Sequence, residues 1–367
     1  MNNKKTSWEI IFLLPNLGLR EAIGNDDIAI VPNGDQRVVE IVSTSSVAKS
    51  LVENFQDQFG RAVSPVLLLI RGEAPDFMRE IDTLVGFRNI FALSSIIKGH
   101  EHRLTSTFVA CPLYSDYFDF YPITISRNND GFITHSPSVF GFDDKAQDFK
   151  GQTSPGLAIS GIVARSDDHL FALLEKVWRR RFISRRLGEW QTRVLFRSLE
   201  MAYQATAMPF KNHSTMYDFG TSASLWVSAF EILSHPRKGK ADLLSVLNLL
   251  GKYDWADKRV KKKAYKIKYR NAPYKVNLVQ VLYKQLYDTR NDFLHGNPVT
   301  SRRLHPFRNK KAPFITRFAP LIYKVALLSF LGQFKNRPRK LDRQNAYMSK
   351  LFHEDGLCEA ILKSTDK

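Results

Sequence analysis

The hydrophobic pattern of the chain changes near residue 165, and this change constrains the fold more than any other feature. Before residue 165, short apolar segments alternate with turns rich in Gly, Pro and Asn, which is typical of strands mixed with short helices. After it, apolar residues recur every three to four positions, as in amphipathic helices. Residues 144–158 are polar and contain Gly and Pro, which predicts a linker. We therefore expect an α+β protein, with a mixed α/β domain over residues 1–150 and an all-α helical bundle over 165–367.

The N-terminal domain is predicted from short segments. The sequence predicts strands and one short helix there, with the strands over Asp27–Val31, Arg37–Val42 and Val63–Arg71 and the helix over 74–86. The run Asn128-Asn-Asp-Gly131 predicts a hairpin turn. No catalytic motif occurs in this domain, so we expect a packed domain of strands, with a sensor or ligand-recognition role as the alternative.

The C-terminal domain is predicted to consist of helices. Ser166-Asp-Asp offers a capping start for the first of them. Helical periodicity then predicts further helices over Trp190–Thr206, Ser222–Leu233, Asp242–Leu250, Val276–Leu294, Phe314–Phe334 and Arg343–Leu362. Such a series of helices with short connections is typical of a bundle.

The charge of the chain lies almost entirely in this second domain. The formal net charge is +18, and the pI is about 9.8. Residues 1–164 hold 14 basic and 19 acidic side chains, whereas residues 165–367 hold 40 basic and 17 acidic ones. A surplus of this size favours polyanionic partners, nucleic acid first and an anionic membrane second. We therefore expect the helical domain to carry a basic surface.

Cysteine usage and hydropathy predict a cytoplasmic protein. Cys111 and Cys358 are the two cysteines, so no disulfide framework and no cysteine metal-ligand spacing is expected, and free thiols fit a reducing compartment. The apolar run Ile10–Leu14 ends at Pro15 and is too short for a signal-peptide core. No run of 18 apolar residues occurs, so we expect no transmembrane helix and no membrane partner.

The helix predicted from Val276 carries the residues that suggest chemistry. Its apolar stripe runs through Val279, Leu282 and Leu286, and the next position of that stripe is Arg290 rather than an apolar residue. A guanidinium at the edge of a core stripe is costly to desolvate unless it is paired. An acidic partner or a bound phosphate must therefore compensate for Arg290.

Two further polar residues share the end of this helix. Asn291 and His295 are four residues apart and so lie on one flank, and Gly296 then ends the helix. The helix dipole favours an imidazolium at that end. An imidazole can move the 2′-OH or leaving-group proton of RNA, and a guanidinium can hold non-bridging phosphate oxygens. Neither role needs a metal or another cofactor. The alternative is structural: Arg290 pairs with an acid, and His295 simply ends the helix.

The segment Arg290-Asn-Asp-Phe-Leu-His295 resembles the Arg-x(4–6)-His motif of the HEPN superfamily, in which the residue after the Arg is also polar. The upstream segment Ser224–Leu233 resembles the preceding helix of that family, in particular of its Apea-like members. The resemblance covers roughly residues 165–340 and does not reach the N-terminal domain. It implies a HEPN-like helical bundle.

The resemblance also implies a function. It implies a metal-independent endoribonuclease with a toxin or antiphage defence role, in which two motifs of a homodimer form one cleft. By position, Arg290 would bind the scissile phosphate, His295 would act as general acid and base, and Asn291 would orient His295 or the phosphate. A toxin would add a neutralising partner protein. For Glu231, within an otherwise apolar helix, two interpretations stay open: one predicts a pair with Arg290 that fixes its orientation, and the other predicts a solvated Glu on the outer face.

Basic segments on both sides of the motif helix predict contact with RNA. Between residues 257 and 270, Tyr265 and Tyr269 alternate with basic residues, which suits phosphate contact combined with base stacking. The predicted RNA-binding residues are Lys261, Lys262, Lys263, Tyr265, Lys266, Lys268, Tyr269, Arg270, Arg302 and Arg303, with Arg308, Lys310 and Lys311 beside them. The alternative is a solvated charged face. The segment lacks the large apolar face that membrane binding needs.

Several weaker signals remain open or predict no site. The basic residues Arg179, Arg180, Arg181, Arg185 and Arg186 either extend the RNA path or coat a helix. His100 and His102 would share one face of a strand, but with His135 they are expected to be surface residues rather than metal ligands.

Two alternatives to a ribonuclease are a non-catalytic HEPN module that binds RNA or a partner protein, and a DNA-binding regulator, for which no helix-turn-helix signature occurs.

Overall fold

The chain forms two compact units in the computed structural model. The model describes residues 7–106, 110–126, 131–136, 138, 140–143, 148–158, 160–184, 189–208, 215–332 and 343–366. Within these, the first unit comprises residues up to 88 together with 110–165, and the second comprises 89–109 together with those from 166 onward. The first unit is mixed and the second mainly helical, so the α+β fold class is confirmed.

The first unit is organised around a four-stranded antiparallel sheet. The strands of the whole unit are Trp8–Leu14 (β1), Ile23–Gly24 (β2), Ile28–Val31 (β3), Phe55–Gln56 (β4), Val66–Arg71 (β5), Ile123–Ile125 (β6), Phe132–His135 (β7), Phe140–Asp143 (β8) and Gly151–Gln152 (β9). The main sheet has the order β1-β5-β3-β2, β6-β7-β8 form a three-stranded antiparallel sheet, and β4 pairs with β9 in parallel. A hairpin turn was predicted at 128–131, and residues 128–130 lie outside the described residues. The strands on either side of this position, β6 and β7, are paired.

The central strand explains the core of the first unit. The first five residues of β5 are apolar and fully buried, as expected for a strand covered on both faces. Leu67 and Leu69 lie in one cluster with Leu51 of the neighbouring helix and with Phe55. Burial of this apolar cluster is the main stabilising contribution to the sheet.

One prediction in this unit was wrong, and another was correct only in part. The predicted strand Arg37–Val42 is part of helix α1, Gln36–Thr44, because Asp35 caps it by accepting from the backbone N–H of Arg37 at 3.0 Å and pairs with the Arg37 guanidinium at 2.8 Å. A second helix, α2, spans Ser46–Glu53. The short helix predicted over 74–86 is a 3₁₀ turn, Asp76–Arg79, followed by the long helix α3, Ile81–Thr105.

The second unit consists of helices and one hairpin. It contains the later part of α3, then Asp168–Trp178 (α4), Trp190–Ala205 (α5), Met216–Leu233 (α6), Leu243–Gly251 (α7), Lys258–Lys261 (α8), Ala264–Tyr269 (β10), Ala272–Asn277 (β11), Leu278–Leu294 (α9), Ile315–Leu331 (α10) and Arg343–Leu362 (α11). The predicted helices are confirmed with ends that agree within three residues, except that α6 begins six residues before the predicted Ser222. Phe334 lies outside the described residues. The antiparallel pair β10–β11 was missed, so the all-α prediction was incomplete.

The core of the second unit lies among α5, α6, α9 and α10. Trp226 and Phe230 of α6 pack against Tyr323 of α10, with ring centroids 5.4 Å apart in both pairs. The Ser198 hydroxyl donates to the Ala229 carbonyl at 2.7 Å and lies 2.6 Å from the Tyr323 hydroxyl, so these buried polar groups are satisfied. These contacts join α5, α6 and α10, and α9 packs against α6 and α10.

A buried ion cluster joins three helices of the same unit. The Lys324 side chain is only 4% exposed, and its ammonium lies 2.6 Å from Asp167 and 3.1 Å from Glu101. Burial by itself would raise the pKa of Asp167, but the charge and hydrogen bond of Lys324 outweigh it, and the pKa is lowered. Asp167 also caps α4 by accepting from Leu170 N–H at 3.0 Å. The cluster fixes α3, α4 and α10 to one another.

Among the residues that the structure describes, no helix is both long enough and apolar enough to cross a membrane.

Candidate functional site

Helix α9 positions the motif predicted from the sequence. The helix follows β11 directly, and the Asn277 and Gln280 side chains cap its start by accepting from each other's backbone N–H groups at 2.7–2.9 Å. It ends at His295, the C-cap residue, and Gly296 follows with φ +68°, the left-handed conformation that glycine adopts without strain. Arg290 and Asn291 therefore lie in the last turns of a helix fixed at both ends.

Arg290 is held without a carboxylate. Its side chain is half-buried at the predicted place on the apolar stripe. Nη1 donates to Asn291 Oδ1 at 2.9 Å, and the guanidinium carbon lies 5.8 Å from the centre of the Tyr287 ring, within the range of a cation–π contact. Nε is buried and makes no hydrogen bond to the described residues. The charge of Arg290 is thus oriented but not neutralised by a direct partner.

Glu231 does not form the ion pair predicted for it. Within the described part of the chain, no carboxylate oxygen lies within 4.0 Å of the Arg290 guanidinium. Glu231 is half-buried in α6, and burial raises the pKa of its carboxyl; the charge of Arg290 opposes that shift, and the charge of Asp242 adds to it. Glu231 and Arg290 are therefore coupled electrostatically rather than through a salt bridge.

Tyr283 belongs to this polar cluster and was missed by the sequence analysis. The residue is completely buried, and its hydroxyl makes no hydrogen bond to the described residues. Burial, followed by the charge of Glu231 and the nearby Tyr287, places the pKa of Tyr283 well above its ordinary value. Its spacing from Arg290, seven residues or two helical turns, was the signal in the sequence, but on an apolar stripe a tyrosine is usually a core residue.

His295 is the exposed end of the motif. Its backbone N–H donates to the Asn291 carbonyl at 2.9 Å, and its imidazole is exposed without a hydrogen bond to the described residues. Asn291 lies one turn earlier and also holds Arg290, so it connects the two groups. The imidazole is accessible to a ligand, whereas the guanidinium is partly enclosed.

An apolar surface adjoins the motif. The Tyr217 side chain at the start of α6 is 75% exposed, and Leu294, next to His295, is 57% exposed. The ring of Tyr217 lies 6.4 Å from that of Phe293. Gly220 allows this close packing, because a Cβ there would lie 2.6 Å from the Phe293 ring. The ends of α6 and α9 therefore present exposed apolar side chains beside the imidazole.

Of the two predicted RNA-binding arginines after the motif, one is paired internally. Arg303 Nε donates to Asp292 Oδ2 at 2.7 Å, which fixes the loop after α9 to the end of that helix. Arg302 is exposed, and its Nε donates to the Arg308 carbonyl at 3.1 Å. Arg302 remains accessible for phosphate contact, whereas Arg303 has an acidic partner.

The basic segment from residue 257 divides into two parts with different surroundings. In the first part, Lys261 lies 2.9 Å from Asp254, and Lys263 donates to Thr365 at 2.8 Å. Arg259 pairs with Asp257 at 2.6 Å and with Glu359. Lys262 is exposed. Neighbouring acids and a hydroxyl therefore bind much of the charge in this first part.

In the second part, the interleaved tyrosines do not share a face with the lysines, contrary to the predicted arrangement. Side chains alternate between the two faces of a strand, so Tyr265 and Tyr269 lie opposite Lys266 and Lys268 on β10. Tyr265 stacks on Phe307 at 5.5 Å, and Tyr269 donates to Asp242 at 3.4 Å. The lysines face solvent, and the rings pack inward.

The weaker signals resolve into structural contacts where they are described. Arg179 pairs with Glu175 at 3.1 Å, Arg180 pairs with Glu189, and Arg181 lies over the Phe182 ring at 5.0 Å; Arg185 and Arg186 lie outside the described residues.

The predictions for the histidines need one correction. His100 is 5% exposed within helix α3, not on a surface strand, because the helix that carries it runs through the core of the second unit. His102, on the same helix, is half-buried, and the burial of His135 is outside what the structure describes. The described residues contain no group of three or more His, Cys, Asp or Glu side chains that could hold a metal ion.

Comparisons of the chain with protein-family models, with curated proteins and with solved structures found no match.

Proposed function

We propose that the protein is a metal-independent endoribonuclease of HEPN type, acting in the cytoplasm through Arg290, Asn291 and His295. The observation that carries the proposal is the state of Arg290. A half-buried guanidinium is held by an amide and an aromatic ring, and no carboxylate of the described residues lies within 4.0 Å of it, where a structural arginine would meet one. A phosphate oxygen at the accessible part of the guanidinium neutralises this charge.

The three groups have distinct roles in this proposal. Arg290 stabilises the charge that develops on the non-bridging oxygens of the scissile phosphate. Asn291 fixes the guanidinium through its Oδ1. The exposed imidazole of His295 takes the proton of the 2′-OH or protonates the leaving 5′-oxygen. The 2′-OH then attacks phosphorus and expels the 5′-oxygen, leaving a 2′,3′-cyclic phosphate.

A homodimer through the helical unit would complete the site. One imidazole must otherwise serve as acid and base in turn, and a two-fold axis beside α9 would bring a second His295 into the same cleft. The exposed Tyr217 and Leu294 beside the motif supply apolar surface for such a contact. The resemblance to HEPN proteins further suggests a toxin or antiphage defence effector, with a neutralising partner protein in the toxin case.

The test is RNA cleavage in EDTA by the wild type and by His295→Ala, Arg290→Ala and Asn291→Ala. We expect loss of cleavage for the first two and a partial loss for Asn291→Ala. His102→Ala and Arg193→Ala serve as matched controls, since they remove the same groups from α3 and from the exposed side of α5. Cleavage that EDTA abolishes and Mg²⁺ restores would contradict the mechanism.

A second candidate function is a non-catalytic HEPN module that binds RNA or a partner protein. The exposed Tyr217 and Leu294 favour it, because such side chains are suited to protein contact whether or not His295 reacts. In that case neither the wild type nor His295→Ala would cleave RNA, while Tyr217→Ala would weaken association with RNA or the partner protein. The variants therefore separate the two candidates.

A further inference from the structure

The hairpin β10–β11 is a rigid two-stranded ribbon attached directly to the motif helix. Its turn residues Arg270 and Asn271 have φ values of +46° and +67°, which is the backbone of a two-residue type I′ turn. Six residues of each strand pair in continuous register, and β11 continues into α9 without a break. The ribbon therefore presents its side chains in fixed positions relative to that helix.

One face of the ribbon is cationic and unpaired. Lys266 and Lys268 point to the same side, and Lys275 lies directly opposite Lys266. All three are exposed, and none forms a salt bridge with the described residues. Like charges directly across a pair of strands destabilise it, so a bound polyanion would relieve a real cost.

The other face explains which kind of polyanion fits. The rings on the ribbon pack inward, with Tyr265 on Phe307 and the Tyr274 hydroxyl 3.5 Å from Asn248. The cationic face thus has no aromatic ring for a base to stack on, and proteins that hold single strands rely on such rings. Double-stranded RNA keeps its bases stacked and is held through phosphates and 2′-hydroxyls.

The ribbon also contacts the middle of the motif helix. Tyr265 of β10 stacks on Phe307, whose backbone N–H donates to Gln285 Oε1 of α9 at 2.9 Å. Gln285 lies five residues, or somewhat more than one helical turn, before Arg290. The ribbon is therefore anchored to α9 close to the motif.

We infer that the outer face of β10–β11 binds the phosphate backbone of a double-stranded segment of RNA, independently of its sequence, and presents the RNA to the motif of α9. This inference names the substrate class and rests on the proposed function. Lys275, which the sequence analysis did not single out, is one of the three contacts.

The test is the affinity of the full chain for three probes of equal length, a duplex RNA, an unstructured RNA and a duplex DNA, across a salt series. The variant is Lys266→Glu/Lys268→Glu/Lys275→Glu. Its control is Lys49→Glu/Lys150→Glu/Lys176→Glu, which changes the net charge equally at exposed lysines outside the ribbon. Each phosphate contact contributes about 0.9 to the slope of the logarithm of affinity against the logarithm of salt concentration. Loss of three contacts therefore makes that slope about 2.7 units less steep. It lowers duplex-RNA affinity on the order of 100-fold at 0.15 M salt.

We expect the ribbon variant to lose affinity for duplex RNA by that factor, whereas the control variant keeps it. The affinity of the ribbon variant for the unstructured RNA should change by less than about threefold. Duplex-RNA binding within threefold of the wild type, or an equal loss for both RNAs, would overturn the inference. A wild type that binds duplex DNA as tightly would overturn the assignment to RNA. RNA cleavage by His295→Ala is measured separately. If this variant still cleaves RNA while the ribbon variant loses duplex binding, the proposed nuclease mechanism is contradicted, but duplex binding by the ribbon is supported.

Discussion

Replacement of Lys324 by Met tests the account of the core of the helical unit. The ammonium sits 2.6 Å from Asp167 and 3.1 Å from Glu101, and the lysine and Glu101 side chains are each 4% exposed. Met fills most of the same volume, so the variant removes the charge with little change in packing. It leaves the largely buried carboxylate of Asp167 without its cation and Glu101 with Lys98 alone, which costs about 3–5 kcal/mol at neutral pH.

The loss is measured by thermal and urea unfolding followed by tryptophan fluorescence, because Trp178, Trp190, Trp226 and Trp255 lie in the second unit and only Trp8 lies in the first. For a unit of this size the expected decrease in Tm is about 6–20 °C. Lys98→Met is the control, since Lys98 lies 2.8 Å from Glu101 but is 31% exposed. It should cost less than about 1 kcal/mol.

The pH dependence gives a sharper test of the same variant. In the wild type the pKa of Asp167 is lowered, so its stabilisation is present above its ordinary pKa of 3.8 and is lost as the pH falls through the lowered value. Without Lys324, the largest influence that opposes burial is removed, and the pKa of Asp167 rises, although the Leu170 N–H and the charge of Lys98 still lower it. The difference between variant and wild type should therefore shrink as the pH falls toward 4. A loss below about 1 kcal/mol at pH 7, or a pH-independent one, would refute the reasoning.

Three further predictions concern single side chains. Gly220→Ala should destabilise the protein by about 1–3 kcal/mol and reduce RNA cleavage, because the new Cβ would lie 2.6 Å from the Phe293 ring and displace the end of α9; unchanged unfolding and activity would contradict it. Glu231→Gln should gain stability relative to the wild type as the pH rises from 4 to 7, because burial raises the pKa of Glu231 and its ionisation then costs stability. If the difference in urea midpoint between the variant and the wild type does not change with pH, this carboxyl is solvated. Glu354→Ala should cost about 3 kcal/mol in urea unfolding, because Glu354 is 1% exposed and accepts from the backbone of Ala256 at 2.9 Å and from Tyr253 at 3.0 Å; a loss below half of that would argue against the buried network.

The sequence predicted the helices better than the strands, for a physical reason. A helical stripe of apolar residues repeats over many turns, so the helix predicted over Trp190–Thr206 is observed over Trp190–Ala205. The segment Arg37–Val42 is short and rich in β-branched residues, and the cap from Asp35 decides its structure. Propensity alone cannot weigh such a contact against packing.

The candidate site was predicted in part for a similar reason. Arg290 could be recognised because a cation interrupts an apolar stripe, and its half-buried position agrees with that. The missing carboxylate partner and the buried Tyr283 hydroxyl depend on how α6 packs against α9, which no pattern within one helix encodes. In the basic segment, the alternation of Lys and Tyr was visible, but the packing of Tyr265 on Phe307 and of Tyr269 against Asp242 decides which face meets solvent.

The most direct test of the central claim is the chemistry of the cleaved ends. A structured RNA is incubated with the wild-type protein in EDTA, and the cleavage site is mapped; the same RNA is then made with a single 2′-deoxyribose at that site. The account predicts products ending in 2′,3′-cyclic phosphate and resistance of the deoxy-substituted RNA, because the 2′-OH is the nucleophile that His295 activates. Cleavage of the substituted RNA at the same position, or products with a 3′-hydroxyl, would contradict it.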